Sequence, residues 1–196
     1  MNMGGKVRLA AGLVLAAVAI ASLASLAVAE RQPASTLRAA AADECKKAGT
    51  PVGRLSSGAV RNAVLCLVNE ERRRHARKPV VQSKALQQAA QRHAEKMAAT
   101  ECLAHQCPGE GSLGSRIRRS GYPAGAKDWE FAENTGCGLS AEAMVKNWLA
   151  SRYHRLNILD PRFEDLGVGH TRADVKGRCR DAFGTFAAVF AVRETR

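Results

Sequence analysis

Apolar residues recur at helical spacing in three stretches of the chain. Val60, Val64, Leu67 and Val68 stand at i, i+4, i+7 and i+8, behind Ser56 and Ser57, either of which can cap a helix. Glu70 to Arg74 fall on the solvent side of that helix, and His75 at its frayed end reads as an exposed residue. Leu86, Ala89, Ala90, His93, Ala94 and Met97 hold the i, i+3, i+4 pattern through a second helix after Ser83. His93 therefore sits on an apolar face, either as a core histidine satisfied by a hydrogen bond or as part of a site. Ala141, Met144, Val145, Trp148 and Leu149 line one face of a third helix opening at Ser140, with Lys146 and Asn147 pointing out. Trp148 is a large core anchor whose N–H needs a partner. Residues 108–128 are rich in Gly, Ser and Arg and predict one short helix around Leu113–Ser120, ending at Gly121.

Strand signals come late. Leu166 and Val168 alternate inward over Asp165–His170. Thr185–Val192 is apolar on both faces, with Phe186, Ala188 and Phe190 against Ala187, Val189 and Ala191. Such a strand belongs in the centre of a sheet covered on both sides. No internal repeat is visible. Helices first, strands last and one two-sided strand predict an α+β fold, a helix–sheet–helix sandwich.

The N-terminus follows a different pattern. Lys6 and Arg8 precede an apolar run from Leu9 to Val28, which closes on Ala27-Val28-Ala29, the small-x-small motif cut by signal peptidase. Residues 1–29 read as an export signal cleaved after Ala29. The run is just long enough to span a bilayer, so a retained membrane anchor is the alternative. Residues 30–44 (ERQPASTLRAAAADE) are small and polar and read as a flexible leader. The domain proper is then 45–196; the chain beyond the signal, about 165 residues, is enough for one real core.

Charge adds a preference without a partner. The chain carries +12, and +10 without Lys6 and Arg8, which favours anionic surfaces such as phospholipid headgroups or wall polymers. Basic residues are scattered, with Arg72-Arg73-Arg74 as the one run, and aromatics are 5%, which argues against nucleic acid.

All six cysteines (Cys45, Cys66, Cys102, Cys107, Cys137 and Cys179) follow the signal, and an even count behind an export signal implies three disulfides. Six cysteines allow 15 pairings, and sequence alone does not choose among them.

Three polar groups stand where little else explains them: His105, Glu133 in Phe131-Ala132-Glu133-Asn134, and His154 after the Trp148 helix. They are 28 and 21 residues apart, so only tertiary folding can unite them. Their flanks are more telling. Ala63-Val64-Leu65-Cys66-Leu67-Val68-Asn69-Glu70-Glu71-Arg72 comes first, then His105, then Glu133-Asn134. Trp148-Leu149-Ala150-Ser151-Arg152-Tyr153-His154-Arg155-Leu156-Asn157-Ile158-Leu159 follows, and then Phe163 with Leu166-Gly167-Val168-Gly169. In this order they closely resemble the CAP superfamily of cysteine-rich secretory proteins, antigen 5 and pathogenesis-related class 1 proteins, in its bacterial SCP-like extracellular branch. The resemblance covers roughly residues 60–192.

The resemblance implies a three-layer α-β-α sandwich with a central, mostly antiparallel sheet and a surface cleft. The family's tetrad of two histidines and two acids maps onto His105, Glu133 and His154. Ser151 stands where the second acid would be, and Ala132 replaces the usual glycine before Glu133. Both departures count against carrying over an activity.

Two imidazoles and a carboxylate can hold a divalent metal, zinc foremost, and could activate a water for hydrolysis. The other physical reading is a hydrogen-bonded polar cluster tying helix, loop and sheet together. A nucleophilic Ser151–His154–Glu133 triad lacks a nucleophile elbow around the serine. Cys102 and Cys107 flank His105 and could join a metal site, but in an oxidising compartment a local Cys102–Cys107 disulfide is favoured. Cys45–Cys66 would then tie the leader to the first helix, worth about 3 kcal/mol, leaving Cys137–Cys179. The expected function is a secreted binding module for a lipid, cell-wall polymer or host surface component. A zinc-dependent hydrolase or peptidase is the alternative, and a structural extracellular domain with a vestigial cleft the third.

Overall fold

A computed structural model describes residues 45–173, 175, 179 and 184–194. The export signal at 1–29 and the leader at 30–44 lie outside the described residues.

After a short 3-10 turn at Val52–Arg54, the elements are α1 (Ser57–Arg74), β1 (Val81–Gln82), α2 (Lys84–Ala99) and α3 (Leu113–Arg119). Then come β2 (Asp128–Cys137), α4 (Ala141–Ala150), α5 (Arg152–Leu159), β3 (Asp165–Thr171) and β4 (Thr185–Glu194). Four helices open on a serine whose hydroxyl accepts a first-turn backbone N–H: Ser56 for α1, Ser83 for α2, Ser112 for α3 and Ser140 for α4. Each cap satisfies a donor that a helix N-terminus otherwise leaves unpaired.

The four strands lie in the order β1-β3-β4-β2. β4 pairs antiparallel with β2 and β3, while the two residues of β1 run parallel to β3. On one face, Phe186, Ala188, Phe190, Leu166 and Val168 pack against Val60, Val64, Trp148 and Ile158 of α1, α4 and α5. On the other, Ala187, Val189 and Ala191 meet Leu86, Ala90, Ala94 and Met97 of α2 and Ile117 of α3. This is a three-layer α-β-α sandwich with a mostly antiparallel sheet, and β4 is its two-sided central strand.

β3 differs from a half-exposed strand. Leu166 to His170 are all buried, because the face opposite Leu166 and Val168 is covered directly by α2. A Cβ added at Gly167 would strike the backbone of Leu86, and one at Gly169 the backbone of Ala90. Glycine is required there by the close approach of helix to strand.

Arg72 corrects the expectation that residues 70–74 all face solvent. It is fully buried, and its guanidinium donates to the carbonyls of Lys78 (2.7 Å), Ile158 (2.8 Å), Asp160 and Phe163 (both 3.0 Å). It satisfies the carbonyls where α5 ends, which have no helical partner. His75 is exposed.

The structure joins Cys45 to Cys66, Cys102 to Cys107 and Cys137 to Cys179. The first bond secures the segment before α1 to that helix. The third ties the end of β2 to the segment before β4.

Candidate functional site

Glu133 is where the site begins. It lies on β2, paired with Val189 of β4, which in turn pairs with Gly167 of β3. Its side chain therefore points to the α2 side of the sheet, where it is 1% exposed. A carboxylate buried there needs partners, since an unpaired charge in a core is costly.

Arg116 is the main one. The guanidinium, itself buried on α3, donates to both carboxylate oxygens of Glu133, at 3.1 and 3.2 Å. It also donates to the His105 carbonyl at 2.9 Å and reaches Glu110 Oε1 at 3.4 Å. Glu110 accepts from His93 Nδ1, at 2.8 Å to one oxygen and 3.0 Å to the other, and from the Cys107 N–H at 3.3 Å. The other nitrogen of fully buried His93, Nε2, lies 3.6 Å from Glu133 Oε2 and has no hydrogen-bond partner among the described residues. His93 is thus a core histidine satisfied at Nδ1 alone, and a member of the polar cluster.

His105 covers the top of this cluster. It sits in the loop closed by the Cys102–Cys107 disulfide, and its Nδ1 donates to Glu133 Oε2 at 3.0 Å. Its side chain is 58% exposed. The hydrogen bond to Glu133 holds its pKa above the ordinary value, against an opposing effect of partial burial.

His154 approaches from across β2. Its helix, α5, has no apolar stripe to mark it in the sequence; the chain breaks at Ser151, which has extended backbone between α4 and α5. Asn134 anchors α5 by donating to the His154 carbonyl at 3.0 Å, and Asn157 donates to Asn134 Oδ1 at 2.8 Å and to the Glu133 carbonyl at 3.3 Å. Burial first, then repulsion from His105, holds the His154 pKa below its ordinary value. Ser151 contributes backbone: its N–H donates to Trp148 and its carbonyl accepts from Arg155, while its hydroxyl makes no cap bond to α5.

The residues that sequence reasoning missed are Arg116, Glu110, Asn134 and Asn157. Arg116 stands among other arginines in a short polar segment, so nothing in the local pattern marks it as buried.

As arranged, these donors do not fit a zinc ion. His105, Glu133 and His154 do not bring three ligand atoms within 4.8 Å of one another. Among the described residues only Cys45, Cys66 and Glu70 do so, and both cysteines are in a disulfide. A cation at Glu133 would also meet the charge of Arg116.

Known proteins share this arrangement of elements. Over 120 residues the chain is 29% identical to the uncharacterized protein YkwD of Bacillus subtilis, an alignment spanning 60% of this chain and 45% of that protein. An extracellular SCP-domain protein of Bacillus anthracis superposes with a TM-score of 0.55 at 24% identity, over 70% of this chain and 44% of that one. An outer surface protein of Borrelia burgdorferi does so with a TM-score of 0.56 at 16% identity, over 67% of this chain and 90% of that one. At these identities the two structures speak for the fold. The profile of the cysteine-rich secretory protein family, CAP, matches residues 65–189, well over half of the chain, and the chain belongs to that family.

Proposed function

We propose that this is an extracellular binding module whose ligand-facing surface is formed by His105, held on Glu133, together with His154. The ligand is an anionic or amphipathic component of an envelope or host surface: a lipid, a wall polymer or a surface molecule. The observation that carries this reading is the neutralisation of Glu133. Its carboxylate is engaged by Arg116 and His105 and is buried, so it is poorly placed to act as a general base. What it does well is hold an exposed imidazole at the surface.

A net charge of +12, or +10 without Lys6 and Arg8 of the export signal, around two imidazoles favours anionic groups over cations. The extracellular setting rests on the export signal and on relatives described as extracellular or outer surface proteins.

The test compares retention of the protein on isolated cell wall, freed of bilayer, with that of a charge-matched control. The double variant H105A/H154A should lose most of the retention. Equal retention of variant and wild type, or none above the control, would reject the reading. Stoichiometric zinc and chelator-sensitive hydrolysis would instead favour the enzyme.

A further inference from the structure

The face of α5 turned away from the site is built unlike the rest of the surface. Tyr153 is 78% exposed and Leu156 58% exposed, three residues apart and therefore neighbours on the helix. Arg152 and Arg155, both exposed, flank them on the same turns. Arg152, Arg155 and Leu156, without Tyr153, also line a groove of about 440 Å³ together with Leu149, Ala150 and Leu159. His154 and Leu156 are two residues apart, so the site and this face point to different sides of the helix.

Neighbouring charge extends the pattern. Arg155 lies 3.3 Å from His75 Nε2, which sets the C-terminal end of α1 beside α5. Exposed Arg73 and Arg74 lie there, and Arg77 and Lys78 follow. The acids nearby are engaged: Glu70 and Glu71 both pair with Arg74, at 3.8 and 3.2 Å, which takes up that arginine, and Asp160 pairs with Arg162 at 2.6 Å.

We propose that α5 docks this protein on the headgroup region of an anionic lipid bilayer. Tyr153 and Leu156 enter the interface, and Arg152 and Arg155 meet lipid phosphates. A short helix with an aromatic and a leucine between arginines suits that boundary, where apolar burial and attraction to anionic lipid add together. A soluble polyanion or wall polymer would use the arginines and gain nothing from the exposed Tyr153 and Leu156. The proposal uses different side chains from the His105–His154 surface, and its test is separate.

The full secreted chain is sedimented with vesicles of phosphatidylcholine alone and of phosphatidylcholine with phosphatidylglycerol. Wild type should partition onto the anionic vesicles. Y153S/L156S should lower that partition by about tenfold or more, from lost apolar burial. R152Q/R155Q should lower it by about fivefold per arginine. Y153W, which keeps an interfacial aromatic, should retain it, and matching thermal melts show that the variants are folded. Absence of wild-type binding to anionic vesicles would overturn the proposal. So would wild-type binding by Y153S/L156S, because charge alone would then be responsible. Loss limited to the α5 variants separates this docking from the imidazole surface, whose own failure is read in the H105A/H154A retention assay.

Discussion

Arg116 and Glu133 form a two-point ion pair inside the protein, one guanidinium nitrogen lying 3.1 and 3.2 Å from the two carboxylate oxygens. They come from different layers, Arg116 from α3 and Glu133 from the sheet, and both are buried. The pair is therefore a fastening between layers as well as the floor of the site.

Removing one partner of a buried pair leaves the other charged and unpaired, which costs about 3–5 kcal/mol. R116A should lose stability of that order in urea unfolding, and E133Q less, because an amide can still accept from Arg116. If R116A unfolds at the wild-type midpoint, the pair does not hold the layers.

The two imidazoles should titrate apart. The Glu133 hydrogen bond raises His105, whereas burial and the nearness of His105 lower His154. Resolved histidine titrations by NMR should place His105 above and His154 below the ordinary value near 6.5. E133Q should bring His105 down, and His105→Asn should let His154 rise. Coincident titrations would show that the residues do not interact.

His170 gives the fold an acid weakness. Its ring is buried against Phe186, with centroids 4.8 Å apart, and neither nitrogen has a hydrogen-bond partner among the described residues. Burial foremost, then Arg172 and Arg61, holds its pKa down at about 4. The unfolded chain, with an ordinary histidine, binds the proton more readily. This contribution is therefore complete above about pH 6.5 and is lost as pH falls towards 4, up to about 3 kcal/mol. Comparing unfolding at pH 7 and pH 4.5, H170N should show a smaller acid loss than wild type. An equal loss would place the acid sensitivity elsewhere.

The legible parts of the fold are those in which burial follows a simple period. α1, α2 and α4 show their apolar stripes, and β4 is apolar on both faces because both faces are covered. β2 is not legible as a strand, since Glu133 and Asn134 are buried on its opposite faces and satisfied by Arg116 and Asn157. Polar residues with buried partners leave no alternation to read. α5 is hidden because Ser151 interrupts the helical register, and Ile158 is its one fully buried residue. Arg72 and Arg116 mislead in the same way. A buried arginine is recognised by the carbonyls and carboxylates that surround it, and these come from distant parts of the chain. His105, Glu133 and His154 stand out through their flanks, while the cation between the acids does not.

The glycines at 167 and 169 set the clearance between α2 and the sheet. His93 rides on that helix, and its 2.8 Å contact with Glu110 leaves little slack. A methyl group at either glycine would collide with the helix backbone, so alanine at 167 or 169 would displace the His93 ring and the cluster under His105 as well as the core. A strand that carries none of the site residues thus sets the depth at which the cluster lies.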